Sequence, residues 1–352
     1  MLHKHKQTGV AALLVTMVVL GVAIITTLFA ARIIITDQKI FKNVFDQAQA
    51  DNAAQAGMQY AEGYLNDNHN YLAVTDGQTN SATLTNGAIY VATYTTDTSD
   101  INQRRITSVG KSADQTSTRT ITALFHKVAK VIPTASVTRD RTQLSNFSVI
   151  TRSGTDAAAL AGDQIEVIDS AQIIPSYTQN IASLAAKSDA TFQTDYIGKL
   201  ITAYQSEAHV TYTKTANYTF NSELNGVTGK IVYLDMSGDK RATVSGSTVI
   251  GATMTPVIIF VNGDFRMDDN AVLYGNVYAT GKIQMFSSPK LYGLALSLDR
   301  NQLQDNIEIF GGASSGERLQ MSDNTKVTYN AANILAGAPG SYNMIPGSWR
   351  DF

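Results

Sequence analysis

Polarity divides the chain into unequal stretches. From Val10 to Ile35 almost every residue is apolar, Arg32 is the one charge, and His3, Lys4, His5 and Lys6 stand in front. As a helix at ~1.5 Å per residue, this run is roughly 39 Å long, more than the ~30 Å hydrocarbon core of a bilayer. The apolar part of a secretory signal is usually only ~7–15 residues. The run therefore reads as a membrane-spanning helix, with cleavage after Ala30 or Ala31 as the alternative. The lysines in front place the leader in the cytoplasm and everything after Ile35 outside it.

The helical pattern does not stop at Ile35. Between Thr36 and Asn66 there is no proline, and Gly57 and Gly63 are the only glycines. Phe41, Val44, Phe45, Ala48, Met58, Tyr60, Ala61, Tyr64 and Leu65 recur at steps of three and four, which predicts one apolar face for packing on a sheet. A single helix from Val10 to about Asp67 would be roughly 87 Å long, and Asp67-Asn68-His69-Asn70 is its stop.

Alternation of period two then takes over. Ala88–Tyr94, Arg105–Gly110 and Arg119–Phe125 are rich in β-branched and aromatic residues, with turn clusters at 97–100 and 111–115. After Pro133 come short strand-like pieces at Asn146–Ile150 and Gln164–Ile168. Helical spacing of Ile181, Leu184 and Ala185, and of Tyr196, Leu200 and Ile201, predicts a helical insertion over residues 176–208. The last third repeats itself. Gly263, Phe265, Met267 and Leu273-Tyr274-Gly275 recur eighteen residues later as Gly281, Ile283, Met285 and Leu291-Tyr292-Gly293. Short β pieces at such a period, with glycines at corners, are the mark of a parallel β-solenoid. Ile231–Leu234, Leu294–Leu298 and Ile307–Phe310 supply further runs, and Phe265, Met267, Ile283 and Met285 are its expected inward rows.

Composition narrows the functions. With 27 basic and 29 acidic residues in 352, net charge is −2, so no basic field is present for nucleic acid. The absence of cysteine excludes disulfides, thiol catalysis and thiolate-bound metals.

Gln7-Thr8-Gly9-Val10-Ala11-Ala12-Leu13-Leu14-Val15, Ala30-Ala31-Arg32, Asn43, and Ala53-Ala54-Gln55-Ala56-Gly57-Met58-Gln59-Tyr60-Ala61 occur in that order. Together they resemble the N-terminal region of PilX-type minor pilins over about the first 65 residues. Gln55 stands where that family often has glutamate. Leu14 stands where major pilins carry a glutamate that meets the neighbouring subunit's N-terminus. The resemblance implies a prepilin leader, residues 1–9, cut between Gly9 and Val10 by a prepilin peptidase. It implies a filament-core helix carrying Val10, Leu13, Leu14, Val18 and Leu20. It further implies inner-membrane insertion followed by an extracellular pilus, with other minor pilins, the major pilin and a PilY-type tip adhesin as partners. The closing Lys326–Asn330 and Pro346-Gly347-Ser348-Trp349-Arg350 resemble the end of solenoid domains that follow such N-termini, with Trp349 packed as a cap.

The expected architecture is α+β. A helix over 10–68, spanning the membrane at 10–35, precedes an antiparallel pilin-like sheet at 69–130 and a β-solenoid at 131–352. The expected role is a minor pilin at the tip or in priming, not an enzyme, without cofactor or metal. The alternatives are a secretion-system pseudopilin, or a membrane-anchored solenoid that binds or cleaves polysaccharide. Gly312-Ala313-Ser314-Ser315-Gly316 matches a nucleophile elbow, but no histidine follows His209. Gly110-Lys111-Ser112 resembles the end of a phosphate loop, with Arg105 at the place of its first glycine. The histidines lack metal-ligand spacing. Asp264, Asp268 and Asp269 read as turn acids rather than as a Ca²⁺ or catalytic cluster.

Overall fold

The computed structural model describes residues 4–97, 100–236 and 240–351, with side chains from residue 11 onward apart from those at 68, 69, 97 and 101. Helix α1 (Lys4–Asn66) is continuous over 63 residues, about 95 Å, and passes into a 3₁₀ turn at Asp67–Leu72. An antiparallel sheet follows, built from β1 (Thr79–Thr83), β2 (Ile89–Asp97), β3 (Asp100–Lys111) and β4 (Thr118–Ala129) in that order. Asn86-Gly87 makes the first turn: Gly87 has φ +83°, and Asn86 Oδ1 accepts the Ala88 N–H at 3.1 Å. On β4, Ile121, Ala123 and Phe125 are buried beneath α1, while Thr120, Thr122 and Leu124 face outward.

The sheet does not end near residue 130. Gly340–Met344 and Arg350–Asp351 return and pair with β4, antiparallel. The expected solenoid boundary at 352 is therefore corrected: the parallel strands end at Tyr329, and the chain's last strands belong to the first sheet. Tyr342 is the anchor. It is buried against Tyr71, and the Asn66 side chain both donates to its carbonyl (3.0 Å) and accepts its N–H (2.7 Å), sealing an otherwise open strand edge.

Between those ends, residues 136–329 form parallel strands stacked in rungs. Phe265 pairs with Ile283 and Met267 with Met285, and all four are buried. The eighteen-residue step recurs from Val272 to Lys290, Glu308 and Lys326. The rungs are not in chain order. Residues 136–174 make two rungs at one end. The chain then crosses over through helices Ala182–Ala185 and Asp189–Tyr196 and the 3₁₀ segment Ile201–Glu207. From Val210 it winds back, until Arg318–Met321 pairs with Arg141–Leu144. The predicted helical insertion is this crossover.

Burial of two faces explains the strand compositions. Ile231–Asp235, Val257–Asn262 and Leu294–Ser297 are apolar on both sides. Their outer side is covered by the crossover, where Tyr204 stacks on Phe260 (4.0 Å, 6°) and Phe260 on Tyr278 (5.2 Å). Arg139 pins the crossover, donating to Gly316 O (2.7 Å) and Lys187 O (2.8 Å) and pairing with Asp189. The opposite face alternates and keeps its outer side in water: Arg241–Val244, Asp264–Asp268, Ile283–Phe286 and Arg318–Met321 each place every second side chain inward. Corners use more than glycine. Asp269, Asp305, Asn306, Asp323 and Asn324 all adopt positive φ, a conformation that short polar side chains tolerate.

Tyrosines seal the junction between sheet and rungs. Burial pushes the phenols of Tyr71 and Tyr278 far above the ordinary ~10, with desolvation the leading cause at both. A phenol whose folded pKa is raised stabilises the fold fully below ~10, and that stability is lost as pH rises past ~10, where the unfolded chain ionises first. Lys127 acts in the opposite sense. It is buried over the Tyr71 ring, donates to Ala336 O at 2.7 Å, and is pushed well below its ordinary value by burial. The urea midpoint should therefore rise gently toward pH ~10. It should then fall, at about 1.4 kcal/mol per pH unit for each such tyrosine. Tyr278→Phe should make the alkaline limb shallower by removing one raised phenol, and the site should hold its shape because Asn276 Nδ2 keeps its bond to Ile334 O at 2.9 Å. An unchanged limb would show that Tyr278 titrates normally.

Candidate functional site

Helix α1 has two unlike halves. Its most apolar eighteen residues have a mean hydropathy of 2.6, and none is buried in the protein. Among the described residues it is the one helix long and apolar enough to cross a membrane. Leu13, Leu14, Val18 and Leu20 are exposed to 61%, 61%, 58% and 62%, so apolar side chains project all round. Gly9 and Val10 lie within the helical backbone, but the Val10 side chain falls outside the described residues, as do residues 1–3 of the leader. Thr16 and Thr26 fold their hydroxyls back onto carbonyls one turn earlier, which hides those polar groups inside the apolar run.

The second half docks on the sheet. The packed face carries Asp46, Ala50, Ala53, Ala54, Gly57, Met58, Ala61 and Leu65. This corrects part of the expected stripe: Phe41 is 76% and Phe45 62% exposed, and Val44 also stands clear, while Tyr60 lies at the margin with its ring 5.8 Å from that of Tyr90. The reason is that the sheet first meets the helix at about Asp46. Small residues make the approach close. A Cβ on Gly110 would lie 2.1 Å from Ala50 O, and one on Gly57 would lie 2.3 Å from Ser108 Oγ. At the lower edge, Lys42 bridges Asp46 (2.9 Å) and Asp114. Asp114 also accepts from Thr116 and Ser112, and its carboxyl is held well below the usual range, first by Lys42.

The other sequence candidates are structural. Ser314 and Ser315 are buried in the strand Glu308–Ser315, Ser314 donates to Val137 O, and the strand Arg318–Met321 follows where an elbow needs a helix. Gly110-Lys111 closes β3. Asp264 accepts Lys282 N (2.8 Å), Asp268 pairs with Arg266 (2.6 Å), and Asp269 accepts Gly246 N (3.1 Å). Among the described residues no three histidines or acids gather where a metal ion could sit. Trp349 is 42% exposed beside the final strand, and so does not cap the rungs.

No family model matches this chain, and no curated protein does. Among solved structures, the chain is similar to the competence-associated pilin ComZ from Thermus thermophilus. That likeness has 12% identity and a TM-score of 0.28, and covers 87% of this chain and 98% of the other. It is also similar to an ice binding protein from an Antarctic Flavobacteriaceae bacterium, at 11% identity and a TM-score of 0.35. That match covers 58% of this chain and 49% of the other, so this chain spans about half of that protein.

What the geometry brings together is a long apolar rod, a sheet gripping its far half, and a large parallel β body joined to that sheet. The grip is made by small residues and by backbone. Among the described residues the apolar half packs on no other part of the protein, so it needs lipid or other apolar helices around it.

Proposed function

We propose that this protein is a membrane-anchored, pilin-like subunit of a type IV pilus or related filament, with the parallel body as a β-solenoid head. The observation that carries this reading is the single helix Lys4–Asn66, apolar and unburied over its first half and docked on an antiparallel sheet over its second. Such a helix is stable in a bilayer before assembly and among neighbouring apolar helices afterwards. The N-terminus lies in the cytoplasm before assembly, and sheet and head lie outside it. Within that class we assign it to the minor pilins of PilX type. Leu14 supplies apolar contact but no charge for a neighbouring N-terminus. A head of this bulk fits poorly at every ~10 Å step of a fibre, a spacing comparable to packed helices. Both features favour the tip or the priming complex, with other minor pilins, the major pilin and a PilY-type adhesin as partners. The role is assembly and not catalysis.

Processing is the direct test. Mass spectrometry of the mature protein should give Val10 as the first residue, and Gly9→Val should leave the leader attached, because a side chain there blocks a narrow peptidase site. A mature N-terminus near Arg32 would remove the reading. Immunogold label should gather at one fibre end; gold spread evenly along the fibre would refute the tip assignment.

A further inference from the structure

The outer face of the antiparallel sheet carries a hollow of about 340 Å³ lined by Arg105, Thr107, Thr122, Leu124, Ser348 and Arg350. Its construction follows from strand register. Thr107 pairs with Thr122 across β3 and β4, and Arg350 pairs with Thr122 from the other side. Arg105 pairs with Leu124, one step along the same face. The two arginines thus stand diagonally across β4 with a hydroxyl pair and one leucine between them. The Thr107 and Thr122 hydroxyl oxygens are 3.4 Å apart. Ser348 Oγ is fixed by Leu124 N (3.1 Å) and Ile345 O (2.7 Å).

A specific turn delivers Arg350. Pro346 and Gly347 occupy the centre of a tight turn closed by Ser348 N donating to Ile345 O (3.1 Å), with Gly347 at φ +78°. Asp351, the next residue, pairs with Ile121 and therefore lies on the opposite face of the sheet. No carboxylate lines the hollow. Among the described residues neither Arg105 nor Arg350 has an ion pair, whereas four cations elsewhere, Lys42, Arg141, Arg266 and Lys290, each have one.

We propose that this hollow binds a tetrahedral oxyanion, a phosphate or sulfate group carried on a small organic body. Two guanidinium groups match the charge of a doubly ionised phosphate and present planar donor forks to its oxygens. The threonine hydroxyls supply further donors, and Leu124 offers an apolar floor for the carbon part of the ligand.

The test uses the full chain in uncharged detergent micelles at low ionic strength, titrated with glycerol 3-phosphate, inorganic phosphate and sulfate in a calorimeter. Saturable binding at one site is expected, weakening as salt is added. Arg105→Gln and Arg350→Gln should each weaken it by about tenfold or more, a loss in line with a charge-assisted pair. Both side chains are exposed, so both variants should keep the parent's melting temperature. Arg141→Gln, on the parallel body, should leave binding unchanged. Tighter binding of glycerol 3-phosphate than of inorganic phosphate would assign the leucine floor to the ligand's carbon part; equal binding would make free phosphate or sulfate the ligand. Absence of saturation, or an equal loss in Arg141→Gln, would overturn the site and leave only non-specific charge attraction. Neither outcome bears on the processing test above, which concerns Gly9 and Val10.

Discussion

Replacing Ile283 with aspartate is expected to unfold the parallel body at temperatures where the parent is stable. Ile283 is fully buried and sits between Phe265 on one side and Asn301 on the other. The adjacent Asn301 amide already donates through Nδ2 to Ala295 O (3.1 Å) and Ser314 O (2.7 Å), so a carboxylate there finds no free donor. It must either remain charged in an apolar interior or take up a proton, and either course costs several kcal/mol. That is a large part of the ~5–15 kcal/mol that holds a typical domain together. The next residue supplies the control. Gln284 faces outward and bonds to Gln302 on the adjacent rung at 3.1 Å. Gln284→Asp should change stability by no more than about 1 kcal/mol. Urea denaturation of both variants in the same detergent checks the pair. If Ile283→Asp has the parent's midpoint, the inward register is wrong and these rungs do not form the core.

Ile283 also shows why so much of the parallel body was legible. Its row takes Phe265, Ile283, Asn301 and Leu319 at steps of eighteen, apolar but for one amide, and that spacing survives in the sequence because each rung repeats the same three-dimensional task. The non-sequential order of the rungs was less legible, yet a signal existed. Lys282-Ile283-Gln284-Met285, Arg300-Asn301-Gln302-Leu303, Arg318-Leu319-Gln320-Met321 and Arg141-Thr142-Gln143-Leu144 share one pattern and lie on successive rungs. The last stands far from the others in the chain, so a search for repeats at constant period passes over it. The return of Gly340–Met344 and Arg350–Asp351 to β4 left no comparable mark. A short edge strand needs only backbone pairing and one anchor, here Tyr342, and many sequences satisfy that. The hollow between Arg105 and Arg350 depends on that return and was equally invisible. On α1, the apolar run was plain. Met58, Ala61 and Leu65 of its packed face were legible too; Ala50, Ala53, Ala54 and Gly57 were not, because alanines and a glycine carry little hydrophobic signal, whereas the bulky Phe41 and Phe45 lie beyond the sheet's reach.

The same small residues make Gly110→Ala the second large effect. The added methyl would sit 2.1 Å from Ala50 O and 2.3 Å from Ala54 N, both backbone atoms of α1. A flexible side chain can swing away from such a contact, but a helix backbone cannot. The helix must lift off β3, and the loss spreads to its own Ala53, Ala54 and Met58, which are buried on its packed face. Overpacking of this kind costs about 3 kcal/mol. Gly63→Ala gives the contrast on the same helix. A Cβ there meets nothing within 4 Å, so the change should stabilise by up to about 1 kcal/mol through helix propensity alone. The parallel body should be untouched in either variant, since its rungs do not rest on Gly110. Hydrogen exchange separates the outcomes: in Gly110→Ala, amides of α1 after Asp46 and of β3 should exchange faster while those of Ile283–Phe286 keep their protection. Uniform acceleration across both regions would mean that sheet and rungs unfold as one unit. Unchanged exchange in α1 would mean that the helix does not rest on β3 at close range. In the filament reading the consequence is direct, because a helix loosened from its sheet no longer fixes the head relative to the fibre axis. Gly110→Ala subunits should then enter the membrane normally and assemble poorly.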